Sequence, residues 1–292
     1  MKKNLLLFGF CFLFAGRIFG YLFFGNYTVP ELKEKISKLP ESGRESTKAM
    51  LLTELGIGLY REGKLDEAIQ VLVEAEGLSP RAGVCRQLYR YLGKCYESSG
   101  RLDKAIGAYE SSVKYDRKNW KRHRDLARLY RQAKLYWKAE ESYSIAAKLN
   151  PDKAELFFAL GKTWADLGFY SYAEENLIKA LELGHGHREV FFELSGVFEG
   201  MGRYSEAAGS WKEVISDSSP DPDWARLIYL AVLAGDKDLA EMGLNKLISR
   251  DAPKETIEFY GDLVRLISTD PHRVLEKKGL TPALKGFLTR LE

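Results

Sequence analysis

The side chains best suited to metal or thiol chemistry are four histidines, His123, His185, His187 and His272, and three cysteines, Cys11, Cys85 and Cys95. His185-Gly186-His187 is the tightest grouping, and two imidazoles one residue apart could share a metal ion. Read without a carboxylate alongside, that two-ligand loop is a weak metal site. His123 falls where a helix seam wants a large apolar residue, so a hydrogen-bonded, partly buried ring is expected there. Cys85 and Cys95 share one predicted helix, roughly 15 Å apart at ~1.5 Å per residue, which is beyond disulfide reach. Both read as small packing residues. No C-x-x-C pair, Gly-rich phosphate loop, H-E-x-x-H or nucleophile elbow occurs. The expectation is a protein that is not an enzyme and needs neither metal nor cofactor.

Charge says more. The 44 Lys and Arg against 41 Asp and Glu leave a formal net charge of +3, so the chain is not basic throughout. The distribution is uneven, because residues 116–138 carry nine Lys or Arg and only two Asp. Such a block is either an ordinary solvated helix face or one wall of a groove whose single sign steers an oppositely charged partner.

The elements that must position these groups recur. From Leu126 the chain reads L-A-x-x-Y, then Ala139, Tyr143, Ala146 and Pro151. Leu160-Gly161, Trp164, Ala173, Leu177 and Ala180 stand 34 residues on, and Leu194-Ser195, Phe198, Ala207 and Trp211 another 34 beyond. A fixed period of about 34 with small and large residues alternating is a helix-turn-helix repeat. The sequence resembles the tetratricopeptide repeat (TPR) family, which implies an all-α, right-handed α-α superhelix. About six repeats are expected, over about 49–82, 86–119, 120–153, 154–187, 188–220 and 221–253. The second follows a loop three residues longer than the others. The sixth is degenerate, with Ile228 in place of the small residue.

Close approach of backbones explains the pattern. Gly56, Gly93, Ala127, Gly161 and Ser195 fall where the first helix of each pair crosses the second, and Ala68, Ala105, Ala139, Ala173, Ala207 and Ala240 answer them. Small residues there bring helix axes to the near end of the usual ~8–10 Å, and large residues at spacings of three and four fill the seam.

In TPR proteins the first helices line a concave surface, and the resemblance implies that repeat positions 2, 5, 9 and 12 face it. Position 9 holds Lys94, Arg128 and Lys162, while position 5 holds Arg90 and Arg124 and then Phe158 and Phe192. Lys121 and Arg131 add to the third repeat. These nine residues form the expected partner-binding set, a cationic ladder continued by an aromatic strip, and the expected partner is an acidic peptide or protein. Nucleic acid is not expected, since the aromatics are not interleaved with the arginines. The Lys-x-x-x-Asn pair that some TPR proteins use to grip a chaperone tail is replaced by Thr53 and Ile57.

Residues 1–25 read as a targeting segment. Lys2 and Lys3 precede an apolar run from Leu5 to Gly16, which suits a signal peptide ending at Gly20 or an uncleaved anchor to Gly25. Arg17 inside such an anchor would cost ~2.5–3.5 kcal/mol. Phe10 before Cys11 departs from the lipoprotein pattern. Either reading exports the rest, as a soluble periplasmic protein or one tethered to the inner membrane. A spacer, 26–46, holds a short helix over Glu31–Leu39, and helices over 254–292 cap the array. The function expected is a scaffold or adaptor of the cell envelope. The alternative is a structural subunit of a multi-copy envelope machine, such as a flagellar motor accessory, a pilus or secretion apparatus, or an outer-membrane assembly complex.

Overall fold

The computed structural model describes residues 27–40 and 44–267. The leader with Cys11, His272 and the part of the expected cap beyond residue 267 lie outside the described residues. Among those described there are fourteen α-helices and no strand. Helix α1 is Val29–Ser37. Six hairpin pairs follow: α2 Glu45–Arg61 with α3 Leu65–Gly77, α4 Ala82–Ser98 with α5 Leu102–Tyr115, and α6 Trp120–Gln132 with α7 Tyr136–Leu149. Then come α8 Ala154–Asp166 with α9 Tyr170–Glu182, α10 His187–Gly200 with α11 Tyr204–Val214, and α12 Asp221–Ala234 with α13 Lys237–Ser249. The last helix is α14, Lys254–Ile267. The chain divides into two units, Met1–Leu149 with α1–α7 and Asn150–Glu292 with α8–α14.

One turn serves all six pairs. Each first helix ends on a residue in the left-handed region, at Gly63, Gly100, Lys134, Gly168, Gly202 and Gly235. The next amide then reaches back five residues, as Lys64 N–H does to Leu59 O and Arg101 N–H to Tyr96 O, capping carbonyls that would otherwise be orphaned. Lys134, at φ 60°, is the one member with a side chain.

The predicted notches are physical. A Cβ on Gly56 would lie 2.5 Å from Leu72 Cγ, one on Gly93 2.7 Å from Tyr109 Cδ2, and one on Gly161 2.6 Å from Leu177 Cγ. All six answering alanines have no exposed surface. Ser195 fits because its hydroxyl donates to Ala207 O at 3.0 Å, which satisfies a buried polar group locally. The sixth pair reverses the arrangement. Ile228 is fully buried on the first helix, and the glycine has moved to the second, where a Cβ on Gly243 would stand 2.7 Å from Ile228 Cγ1.

Two expectations need correction. The extra residues before the second repeat are no longer loop, because α4 opens at Ala82 with Arg81 extended as its N-cap. Helix α1 starts at Val29 rather than Glu31, since Thr28 and Glu31 form a reciprocal capping box and Pro30 sits in the first turn, where no amide is needed. Val29 and Leu32 bury their side chains in the core of the first unit, and Val29 is seated over Gly58 of α2. In the second unit, α14 packs through Leu263 and Val264.

Candidate functional site

In the first unit the cations expected to form a ladder stand on α4 and α6, but acids and rings accompany them. Arg128 donates from Nη2 to Glu97 at 2.7 Å, and Arg124 bonds Asp125 at 2.8 Å. Trp120 lies under Arg124 and Lys121, with cation-to-centroid distances of 5.4 and 5.6 Å. Tyr91 lies beside Arg90 at 5.5 Å and Lys94 at 5.4 Å, and it meets Tyr60 edge to face. Aromatics and cations are therefore interleaved in space, contrary to the reading from sequence, because residues three or four apart, as Tyr91 with Lys94 and Trp120 with Arg124, share a helix face. Arg131 is half-buried on the last turn of α6. Its neighbour in sequence type, Arg122, is buried, and burial followed by the nearby Arg90 charge pulls its guanidinium below the usual value. This part of the basic block is core, with Asp116 as its partner at 3.6 Å.

In the second unit Phe158, Lys162 and Phe192 line one groove of about 490 Å³ on α8 and α10, together with Trp211. Phe192 is 49% exposed and rests on Trp211 at 5.6 Å between centroids. Trp211 is held from below, since its Nε1–H donates to Asp223 O at 2.8 Å and the Arg226 guanidinium covers it at 4.5 Å. Lys162 forms an ion pair with Glu193 and also stands 5.3 Å from the Phe158 centroid. Arg188, Glu189 and Asp223 complete the rim, which thus carries both signs. Sequence reasoning missed Trp211 as groove floor, because its place on a second helix marked it as packing. It also missed Glu97 and Glu193, which sit one repeat from the cations they meet.

The histidines are engaged separately. His185 stacks on Phe158 at 4.1 Å, while His187 packs against Phe191 at 4.4 Å. A carboxylate does stand at this loop, Glu189 beside Gly186, which the sequence reading overlooked. Among the described residues no group of three or more candidate ligands is assembled. His123 is buried and its Nε2–H donates to Arg117 O at 2.9 Å. Cys85 and Cys95 are buried free thiols, and burial pushes Cys95 up to about 11, so neither is a poised nucleophile.

A family model for the tetratricopeptide repeat matches residues 53–119, and the same hairpin with the same notch and turn recurs through both units. The chain carries tetratricopeptide repeats. Its fold class is all-α, the TPR solenoid, and solved structures agree. YrrB, a TPR protein with an unusual peptide-binding site, is 15% identical over 74% of this chain and 98% of its own, with a TM-score of 0.55. MamA is 22% identical over 58% of this chain and 93% of its own, at 0.53. PilF of Pseudomonas aeruginosa is 18% identical over 75% of this chain and 100% of its own, at 0.50. The human protein O-mannosyl-transferase TMTC1 is 28% identical across a stretch that covers 39% of this chain and 17% of the transferase. The TPR chain thus spans under a fifth of that curated relative. TPR repeats are in general non-enzymatic scaffolds for protein and peptide partners.

Proposed function

We propose that this TPR protein is a non-enzymatic scaffold, exported from the cytoplasm, that holds an acidic segment of a partner protein against its first helices. The observation that carries this reading is Phe192, a large apolar ring half open to solvent in a groove whose floor is locked in place by Trp211. Covering such a ring on a rigid floor is favourable at roughly 25 cal/mol per Å² of apolar area, and the paired rim charges give orientation rather than bulk affinity. Lys94 and Lys121 in the first unit stand over ring faces. They supply attraction for carboxylates.

Export rests on Lys2-Lys3 ahead of the apolar run. The likeness to YrrB supports a peptide as the occupant. The experiment is recovery of partners from detergent-solubilised envelope with the wild-type chain, Phe192→Ser, and a Lys94→Glu/Lys121→Glu double variant. Loss with both variants, at unchanged helicity, supports the reading. Undiminished recovery with both overturns it, and a chain found in the soluble cytoplasm overturns the export.

A further inference from the structure

At the start of the first unit, α1 leans over α2 and α4 and leaves a cavity of about 170 Å³. Its floor is Glu54, Leu32 and Ile57, all buried, and its rim is the exposed Arg61. Arg90 reaches in from α4, and Tyr27 and Tyr91 wall it on two sides. Glu54 is only 7% exposed, yet its Oε1 has no hydrogen-bond partner, and the buried Nε of Arg90 has none either. The two groups face the same space without forming an ion pair with each other. Leaving either orphaned carries the full desolvation penalty of a polar group, so the arrangement lacks something that donates to one and accepts from the other.

We infer that this cavity is a site for a small zwitterion of the α-amino-acid class, its ammonium on Glu54, its carboxylate on Arg90 and Arg61, and its side chain against Leu32 and the two tyrosine rings. A plain anion would meet the Glu54 carboxylate, and a plain cation would meet Arg61, Arg90 and Lys35. A purely apolar guest would leave both polar groups unpaired. A cavity near 150 Å³ holds the six heavy atoms of benzene, so an amino acid of about six to nine heavy atoms, in the range from alanine to leucine, fits this one. Burial holds the Glu54 carboxyl up to about 7, with Lys35 of α1 pulling the other way. An ammonium favours the ionised form, so affinity rises as pH climbs through that value, and protons are released on binding.

The site goes beyond the scaffold reading and shares with its test neither Lys94, Lys121 nor Phe192. The test is titration calorimetry of the full chain with L-alanine, L-valine and L-leucine, each compared with its N-acetyl and methyl ester derivative. Saturable binding of at least one amino acid, with both derivatives weaker by about tenfold or more, is the expected result. Glu54→Gln and Arg90→Met should each lose a similar factor while keeping the circular dichroism spectrum. The inference is overturned if no amino acid saturates by about 10 mM, or if the acetylated or esterified forms bind equally well, as a simple anion, cation or neutral-amide site would. Unchanged binding in the two folded variants also overturns it. Should either variant fail to fold, the comparison of derivatives on the wild-type chain decides alone.

Discussion

Gly93 and Tyr109 leave no room between them: a β-carbon on the glycine would sit 2.7 Å from Tyr109 Cδ2. Tyr109 is fully buried, with its hydroxyl toward Glu97 at 3.4 Å, so the ring cannot swing aside without disturbing the seam. Gly93→Ala is expected to destabilise by ~1–3 kcal/mol, the usual cost of overpacking. Gly196, helical and with nothing near its β position, is the control. Gly196→Ala should stabilise by ~0.5–1 kcal/mol through helix propensity alone. Urea denaturation of both variants checks the opposite signs.

Lys134 occupies the left-handed turn position that five glycines hold elsewhere. A side chain there costs roughly 1–2 kcal/mol, and glycine gives part of that back in unfolded-chain entropy. Lys134→Gly should therefore raise stability by ~0.5–1 kcal/mol. A lowered denaturation midpoint would contradict it.

Glu54 makes stability depend on pH in a direction unusual for a carboxylate. Burial raises its folded pKa to about 7 from an ordinary value of 4.5. The folded state therefore holds the proton more tightly than the unfolded chain between those values. Its contribution is intact below about 4.5 and declines as pH rises through the window to about 7, then levels. Glu54→Gln should flatten that slope and gain on the order of 1 kcal/mol at pH 8. Thermal melts from pH 4.5 to 8 in amino-acid-free buffer measure it.

Acids that quench the first-helix cations should weaken capture of an acidic partner. Glu97→Gln releases Arg128, and Glu193→Gln releases Lys162. Solvent-accessible pairs are worth ~0.2–1 kcal/mol, so each variant should tighten partner binding by about 1.4- to fivefold, with a steeper loss on adding salt. Weaker binding by both would mean that the acids themselves contact the partner.

The frame was legible because close packing compresses the choice of residue. Where two backbones nearly touch, only Gly, Ala or Ser fits, and Gly56, Gly93 and Gly161 mark those points at one repeat spacing. Ile228 looked like decay of the pattern, since nothing in a period reveals that the small partner has crossed to Gly243. The binding face was harder to read. Counting charges over residues 116–138 could not reveal that Arg122 turns into the core or that Glu97 reaches Arg128 from the preceding pair. Tyr27 and Leu32 fell in what read as a spacer, so the cavity that they close with Glu54 and Arg90 had no signature in the repeat at all.

The reversed glycine of the last pair has a consequence for how such an array can be rebuilt. Gly243 stands three residues after the answering alanine of its helix, where the earlier second helices carry Val71, Ala108, Ser142, Asn176 and Ser210. Joining α12 to any of those helices would put a side chain against Ile228 where the sixth pair has none. Recombination within this chain is therefore tolerated between whole hairpins and penalised inside the sixth, so that pair is inherited or exchanged as a unit.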